Sequence, residues 1–183
     1  MNYYGAKDLA DAFRTVRKNT LTIAEEIGEE HYGFRATPET RTVAQTLTHI
    51  ALVPRIQMQV QAVERRTTLA GFDFPTFFGK LIAEEQQSRS KEQIISLLRD
   101  EGDRFAKALE GFSDDFLGER VAMPPGMMPA SKTRFEMLLG VKEHEMHHRA
   151  QLMVMERMIG ITPHLTREMM ARMAAMQGAT AKA

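Results

Sequence analysis

The chain has 183 residues, 43% hydrophobic and 26% charged, which suits one soluble globular domain with room for a real core. Its 24 basic and 24 acidic side chains balance, which argues against sequence-independent nucleic-acid binding, since that needs a basic face to displace counterions. It has no Cys, so disulfides, thiolate nucleophiles and cysteine zinc sites are excluded, and any transition-metal site must use His and carboxylates.

The opening Met1-Asn2-Tyr3-Tyr4-Gly5 lacks a basic start followed by an apolar run, so no secretory signal is read. No stretch approaches eighteen uninterrupted apolar residues, so no membrane span is expected and the cytoplasm is the expected location. Leu9, Phe13, Val16, Thr20, Ile23 and Ile27 recur at spacings of four and three and predict a first helix over 6–27, stopped at Gly28. Residues 28–40 read as a loop, with His31 exposed and Pro38 opposing helix continuation.

Thr42-x-x-Gln45 has the form of a capping box opening the second helix. Its seam is Thr46, His49, Val53, Ile56, Val60 and Val63, which puts His49 on the inward stripe. Pro54 should kink this helix one turn after His49. Residues 71–79 break the helical period. Phe72, Phe74, Phe77 and Phe78 there read as core plugs or an interface in a loop, or as an aromatic lid over a pocket. Ser90-x-x-Gln93 opens a third helix with Ile94, Leu98, Phe105, Leu109 and Phe112 on one face, ended by Gly111 and Ser113-Asp114-Asp115.

Residues 118–131, with Pro124-Pro125-Gly126 and Pro129, read as a turn or loop. Thr133-x-x-Glu136 opens the fourth helix, whose stripe is Leu138, Val141, His144, His148, Leu152, Met155 and Ile159. Glu143, Arg149, Glu156 and Arg157 lie off that stripe, and Gly160 and Pro163 stop the helix. Thr166 caps a short last helix through about Met176, and 178–183 reads as a disordered tail. No β-strand run is evident. The expected architecture is an all-α four-helix bundle over 1–177, with an additional short C-terminal helix that covers an apolar edge or makes a dimer contact. The long connection between the second and third helices leaves room for a crossover.

His144 and His148, four apart, stand on one helical face, within reach of one ion at about 2.0–2.1 Å per nitrogen. A lone His on an apolar stripe is more often a core residue with one hydrogen bond. Three inward imidazoles on facing bundle helices argue instead for a shared ion, with His49 the third ligand. Three neutral ligands leave an open position, the catalytic rather than the structural pattern, able to activate water or polarise a substrate oxygen or sulfur. Zinc suits such a site best, and nickel, iron or manganese fit with added waters. His147, one step round the helix, reads as a supporting or surface residue, or as a ligand in place of His148. His144-Glu145-x-x-His148 also matches the metallopeptidase pattern with Glu145 as catalytic base. That reading lacks a sheet edge for substrate, and its downstream candidate, His164, sits in a turn. Glu145 stays a candidate base, the alternative being a solvated helix residue. The fourteen Met read as core and interface filler, or as the lining of a ligand pocket.

Three blocks resemble the DinB superfamily, also called the DinB/YfiT-like group. They are Phe34-Arg35 with Pro38-Glu39, then Thr42-Val43-Ala44-Gln45-Thr46-Leu47-Thr48-His49-Ile50-Ala51, then His144-Glu145-Met146-His147-His148-Arg149-Ala150-Gln151. The resemblance spans most of residues 6–160. It implies a four-helix bundle holding a divalent ion through one His of the second helix and the His-x-x-x-His pair of the fourth, here His49, His144 and His148. It also implies a metal-dependent enzyme family that includes thiol S-transferases using bacillithiol or mycothiol and proposed hydrolases, often homodimeric. The family name records DNA-damage induction, not DNA binding. The expected activity is metal-assisted activation of water or a low-molecular-weight thiol toward a small-molecule substrate, with Arg149 and the Phe residues of 71–79 as substrate contacts. The alternative is a non-catalytic stress-response metal-binding bundle that uses its Met surfaces for partners.

Overall fold

The computed structural model describes residues 4–180, and side chains through 177. Its helices are α1 (Ala6–Glu26), α2 (Val43–Leu52), α3 (Pro54–Gln57), α4 (Phe74–Glu85), α5 (Lys91–Glu110), α6 (Asp114–Gly118), α7 (Arg134–Met158) and α8 (His164–Thr180). Between α6 and α7, β1 (Arg120–Ala122) and β2 (Ser131–Thr133) pair antiparallel, Val121 opposite Lys132. All three expected capping boxes form. Thr42, Ser90 and Thr133 each accept from the backbone N–H three residues on, while Gln45, Gln93 and Glu136 reach back to the cap N–H. Gly160 closes α7 at φ 86°, a left-handed conformation open to glycine without steric cost.

The bundle is a ring in which α1 packs on α5, α5 on α2, α2 on α7, and α7 back on α1. The consecutive helices α1 and α2 therefore lie across a diagonal, so the topology is not simple up-and-down. Two apolar clusters fill the interior. One joins Ile23, Ile27, Leu47, Ile50, Ile94, Leu98, Leu152 and Met155, and the other joins Leu9, Phe13, Phe105, Leu109, Leu138 and Val141. Between them, in sequence order on α1, α5 and α7 alike, comes a polar level of Arg17, Thr20, Glu101 and Glu145, all buried.

Several expectations are corrected. The second helix does break at Pro54, but its continuation is α3 followed by a π-turn over Met58–Val63, where the Glu64 N–H reaches back five residues to Gln59. That wider turn swings Val63 off the seam, leaving it 69% exposed. The 71–79 segment is not all loop: Asp73 caps α4 by accepting from the Thr76 N–H, and Pro75 sits in its first turn. Residues 118–131 contribute the short β1–β2 ribbon that the composition hid. Glu156, which the periodicity places off the histidine stripe, is wholly buried. The last helix starts three residues earlier than a Thr166 cap implies and runs to Thr180, so 178–180 are helical, while 181–183 lie outside the described residues. Met169, Met170, Met173 and Met176 on α8 are exposed.

Candidate metal centre

α2 presents His49 near its C-terminal end, and the middle of α7 presents His144 and His148 one turn apart. The diagonal arrangement makes α2 and α7 neighbours, which is what lets the rings meet. His144 Nε2 lies 3.3 Å from His49 Nε2 and 3.2 Å from His148 Nε2. Three donors at about 2.0–2.1 Å from one ion in tetrahedral geometry stand about 3.3 Å apart. Among the described residues this trio is the group of His and carboxylate side chains able to share an ion. The donor set fits a divalent transition metal with at least one coordination position left open.

The far nitrogens of two rings are anchored. His49 Nδ1 donates to Glu85 Oε2 at 2.9 Å, and His148 Nδ1 donates to Gln151 Oε1 at 2.8 Å. With protons held there, both Nε2 atoms turn bare lone pairs toward a common point, an arrangement a cation relieves. Arg41 Nε donates to the other Glu85 oxygen at 2.5 Å. Burial pushes the Glu85 carboxyl up, but the hydrogen bonds from His49 and Arg41 outweigh it and hold the group below its ordinary value. Burial, then the neighbouring His148, His49, His147 and Arg41, lowers His144 to about 4. Burial likewise lowers His148. Both rings are therefore neutral, and able to ligate, at physiological pH. Gln151 Nε2 lies 3.2 Å from His147 Nε2, which makes the exposed His147 a neighbour of this chain of bonds rather than a member of the trio.

Two cavities flank the histidines. The larger, about 680 Å³, runs past His148 and Gln151 and is lined in part by Arg35, Arg41, Gln45 and Met155. The smaller, about 200 Å³, borders His49 and is mainly apolar, with Leu52, Val53, Ile56, Phe78 and Leu81. Of the four Phe residues, Phe78 thus edges a pocket, while Phe72 and Phe74 pack against Val60, Leu69 and Val121.

Two assignments move. Glu145 is neither a base at the site nor a solvated residue: it is 2% exposed, and Arg17 and Thr20 occupy its carboxylate. The metallopeptidase reading loses its base with it. Arg149 lines neither cavity, and its Nε and Nη1 are buried without a partner, so it is not a substrate contact there. His164, buried at the start of α8, lies 3.4 Å from Asn19 Oδ1 and outside the trio. Sequence reasoning missed Glu85, Gln151 and Arg41. Gln151, three residues after His148 on one helix, was there to be found. Glu85 depends on α4, whose start was signalled only by Asp73-x-x-Thr76 and Pro75.

Comparison with known proteins finds the same fold. YfiT from Bacillus subtilis, described as a probable metal-dependent hydrolase with an unusual four-helix bundle topology, is 16% identical, with a TM-score of 0.66 over 86% of this chain and 89% of that one. A DinB-like protein from Bacillus cereus is 16% identical, with a TM-score of 0.64 over 88% of this chain and 97% of that one. Another, from Bacillus subtilis, is 18% identical, with a TM-score of 0.61 over 84% and 93%. At these identities the likeness is one of fold. None of the curated proteins matches the chain. The family model of the DinB superfamily matches residues 12–152, a span that runs from within α1 to within α7 and includes the three converging histidines. The chain belongs to the DinB superfamily.

Proposed function

We propose that the protein is a divalent-metal-dependent enzyme that activates water or a low-molecular-weight thiol for hydrolysis of, or transfer to, a small-molecule substrate, with His49, His144 and His148 as the ligands. The observation that carries this reading is the convergence of three imidazoles beside two cavities, with His144 Nε2 at the spacing of a shared ion from both His49 Nε2 and His148 Nε2. Zinc or nickel suits the three nitrogens best, with iron or manganese as further fits. The ion, when bound, lowers the pKa of water or a thiol and stabilises developing negative charge. Glu85 and Gln151 hold the protons of their His partners on Nδ1, which keeps the metal-facing nitrogens basic. The apolar walls of the smaller cavity keep water from one side of the site. The description of YfiT favours water as the nucleophile. We also propose that the protein acts in the cytoplasm as a homodimer, without nucleic-acid or membrane partners. Balanced charge supports the absence of a nucleic-acid partner. No helix among the described residues is long and apolar enough to cross a membrane.

The test is turnover by zinc- or nickel-loaded protein on a panel of activated esters and amides, and on a reactive aryl chloride with low-molecular-weight thiols. Turnover that disappears with chelator and in His148→Ala is expected. A metal-loaded protein inert in every assay contradicts the enzyme reading and leaves the non-catalytic metal-binding bundle.

A further inference from the structure

One guanidinium inside the bundle touches all three other main helices. Arg17, on α1 and 4% exposed, donates from Nη2 to the Ile50 carbonyl of α2 at 3.3 Å and from Nη1 to the Leu98 carbonyl of α5 at 2.5 Å. Its Nε and Nη2 grip the Glu145 carboxylate of α7 at 2.8–3.1 Å. Thr20 Oγ1 donates to the same carboxylate at 2.7 Å. Gly102 on α5 makes the room: a Cβ there would stand 2.8 Å from Arg17 Nη1 and 2.9 Å from its Cγ. The two anchor points on α2 and α7 are the residues immediately after His49 and His144.

A buried ion pair adds little stability over apolar side chains of similar volume, so stability alone is a poor reason for this one. Its distinctive property is direction. A guanidinium fork on a carboxylate fixes both distance and orientation, and a point charge does not. The metal centre needs that. Turning α7 by about 20° on its axis would carry an imidazole nitrogen some 2 Å, far outside the tolerance of about 0.5 Å that a ligand constellation allows.

We propose that Arg17 and Glu145 are positioning residues of the metal centre, setting the height and rotation of α7 against α2 so that His144 and His148 meet His49. The inference rests on the assignment of those three histidines as ligands. The Glu of the His-Glu-x-x-His stretch then serves the ion through helix registration, by facing away from it.

The experiment compares wild type with Arg17→Met/Glu145→Leu, Glu145→Leu alone, Arg17→Lys and Thr20→Val, reading the melting temperature of metal-free protein, the affinity for cobalt and zinc, and the visible absorption of the cobalt form. The double variant is expected to fold with a smaller loss of melting temperature than Glu145→Leu alone, because the paired charges leave together while the Ile50 and Leu98 carbonyls lose a donor and Arg149 loses a neighbouring carboxylate. Its cobalt affinity is expected to fall about 10- to 100-fold, as when an outer support of a metal site is lost, with a changed cobalt spectrum. Arg17→Lys, which keeps the charge and loses the fork, should weaken cobalt binding by about tenfold. A folded double variant with wild-type affinity and spectrum overturns the proposal. Should the double variant not fold, wild-type cobalt affinity in both Arg17→Lys and Thr20→Val overturns it equally. Wild-type protein that binds neither metal refutes the ligand assignment itself, and the positioning role falls with it.

Discussion

At the scale of single residues the site is a set of lone pairs aimed by hydrogen bonds. Glu85→Gln keeps the shape of the side chain and removes its charge, so zinc affinity should fall about 10- to 100-fold with little change in the fold, measured by competition titration. An unchanged affinity would show that Glu85 does not support His49. Glu156 gives a separate pH signature. Burial first, then repulsion from Glu26, lifts its carboxyl from 4.5 to about 7. Between those values the folded state holds a proton that the unfolded chain releases, so this group's contribution to stability falls as pH rises from 4.5 through 7. Glu156→Gln should therefore match wild type near pH 4.5 and be more stable above pH 7, by on the order of 3 kcal/mol at most. A pH-independent difference in denaturant midpoint would contradict this. The three histidines were legible because spacings of three and four residues place side chains on one helical stripe. Glu145 misled because its neighbours in sequence form a metallopeptidase pattern, whereas its position on the helix turns it toward Arg17.

At the scale of elements, the caps were legible and the interrupted stretches were not. A capping box is a local bond that four residues decide, so Thr42, Ser90 and Thr133 could be read directly. α4 was masked by Gly71, Gly79 and four Phe, residues that say more about packing than about backbone. It carries Glu85 to within hydrogen-bond reach of His49, and it is fastened there by Arg41 to Glu85, Arg55 to Glu84 and Gln45 to Gln86. Asp73→Ala, which removes the cap of α4, should cost about 1 kcal/mol and also weaken zinc binding, because Glu85 rides on that helix. Thr133→Ala should cost a similar amount, since α7 loses its reciprocal cap. Chemical denaturation checks both. A loss of stability in Asp73→Ala with zinc affinity intact would separate α4 from the site.

At the scale of the whole molecule the order of helices around the ring decides everything, and amphipathic stripes do not report it. A stripe says which face is buried, not which helix covers it. Here α2 and α7 are neighbours, and α1 lies diagonally from α2, so residues 95 positions apart share one point in space. A ligand that binds only this assembled form must stabilise it, by about 2.7 kcal/mol when free zinc is one hundred times its dissociation constant. An ion bound through all three rings therefore ties α2 to α7 in the folded chain. The most direct measurement is the zinc content and zinc-dependent melting temperature of purified wild type beside His49→Ala, His144→Ala and His148→Ala. One ion per chain with a raised melting temperature in wild type, and loss of both in each variant, is the expected result. Wild type without zinc, or His49→Ala holding it as tightly as wild type, would contradict the account.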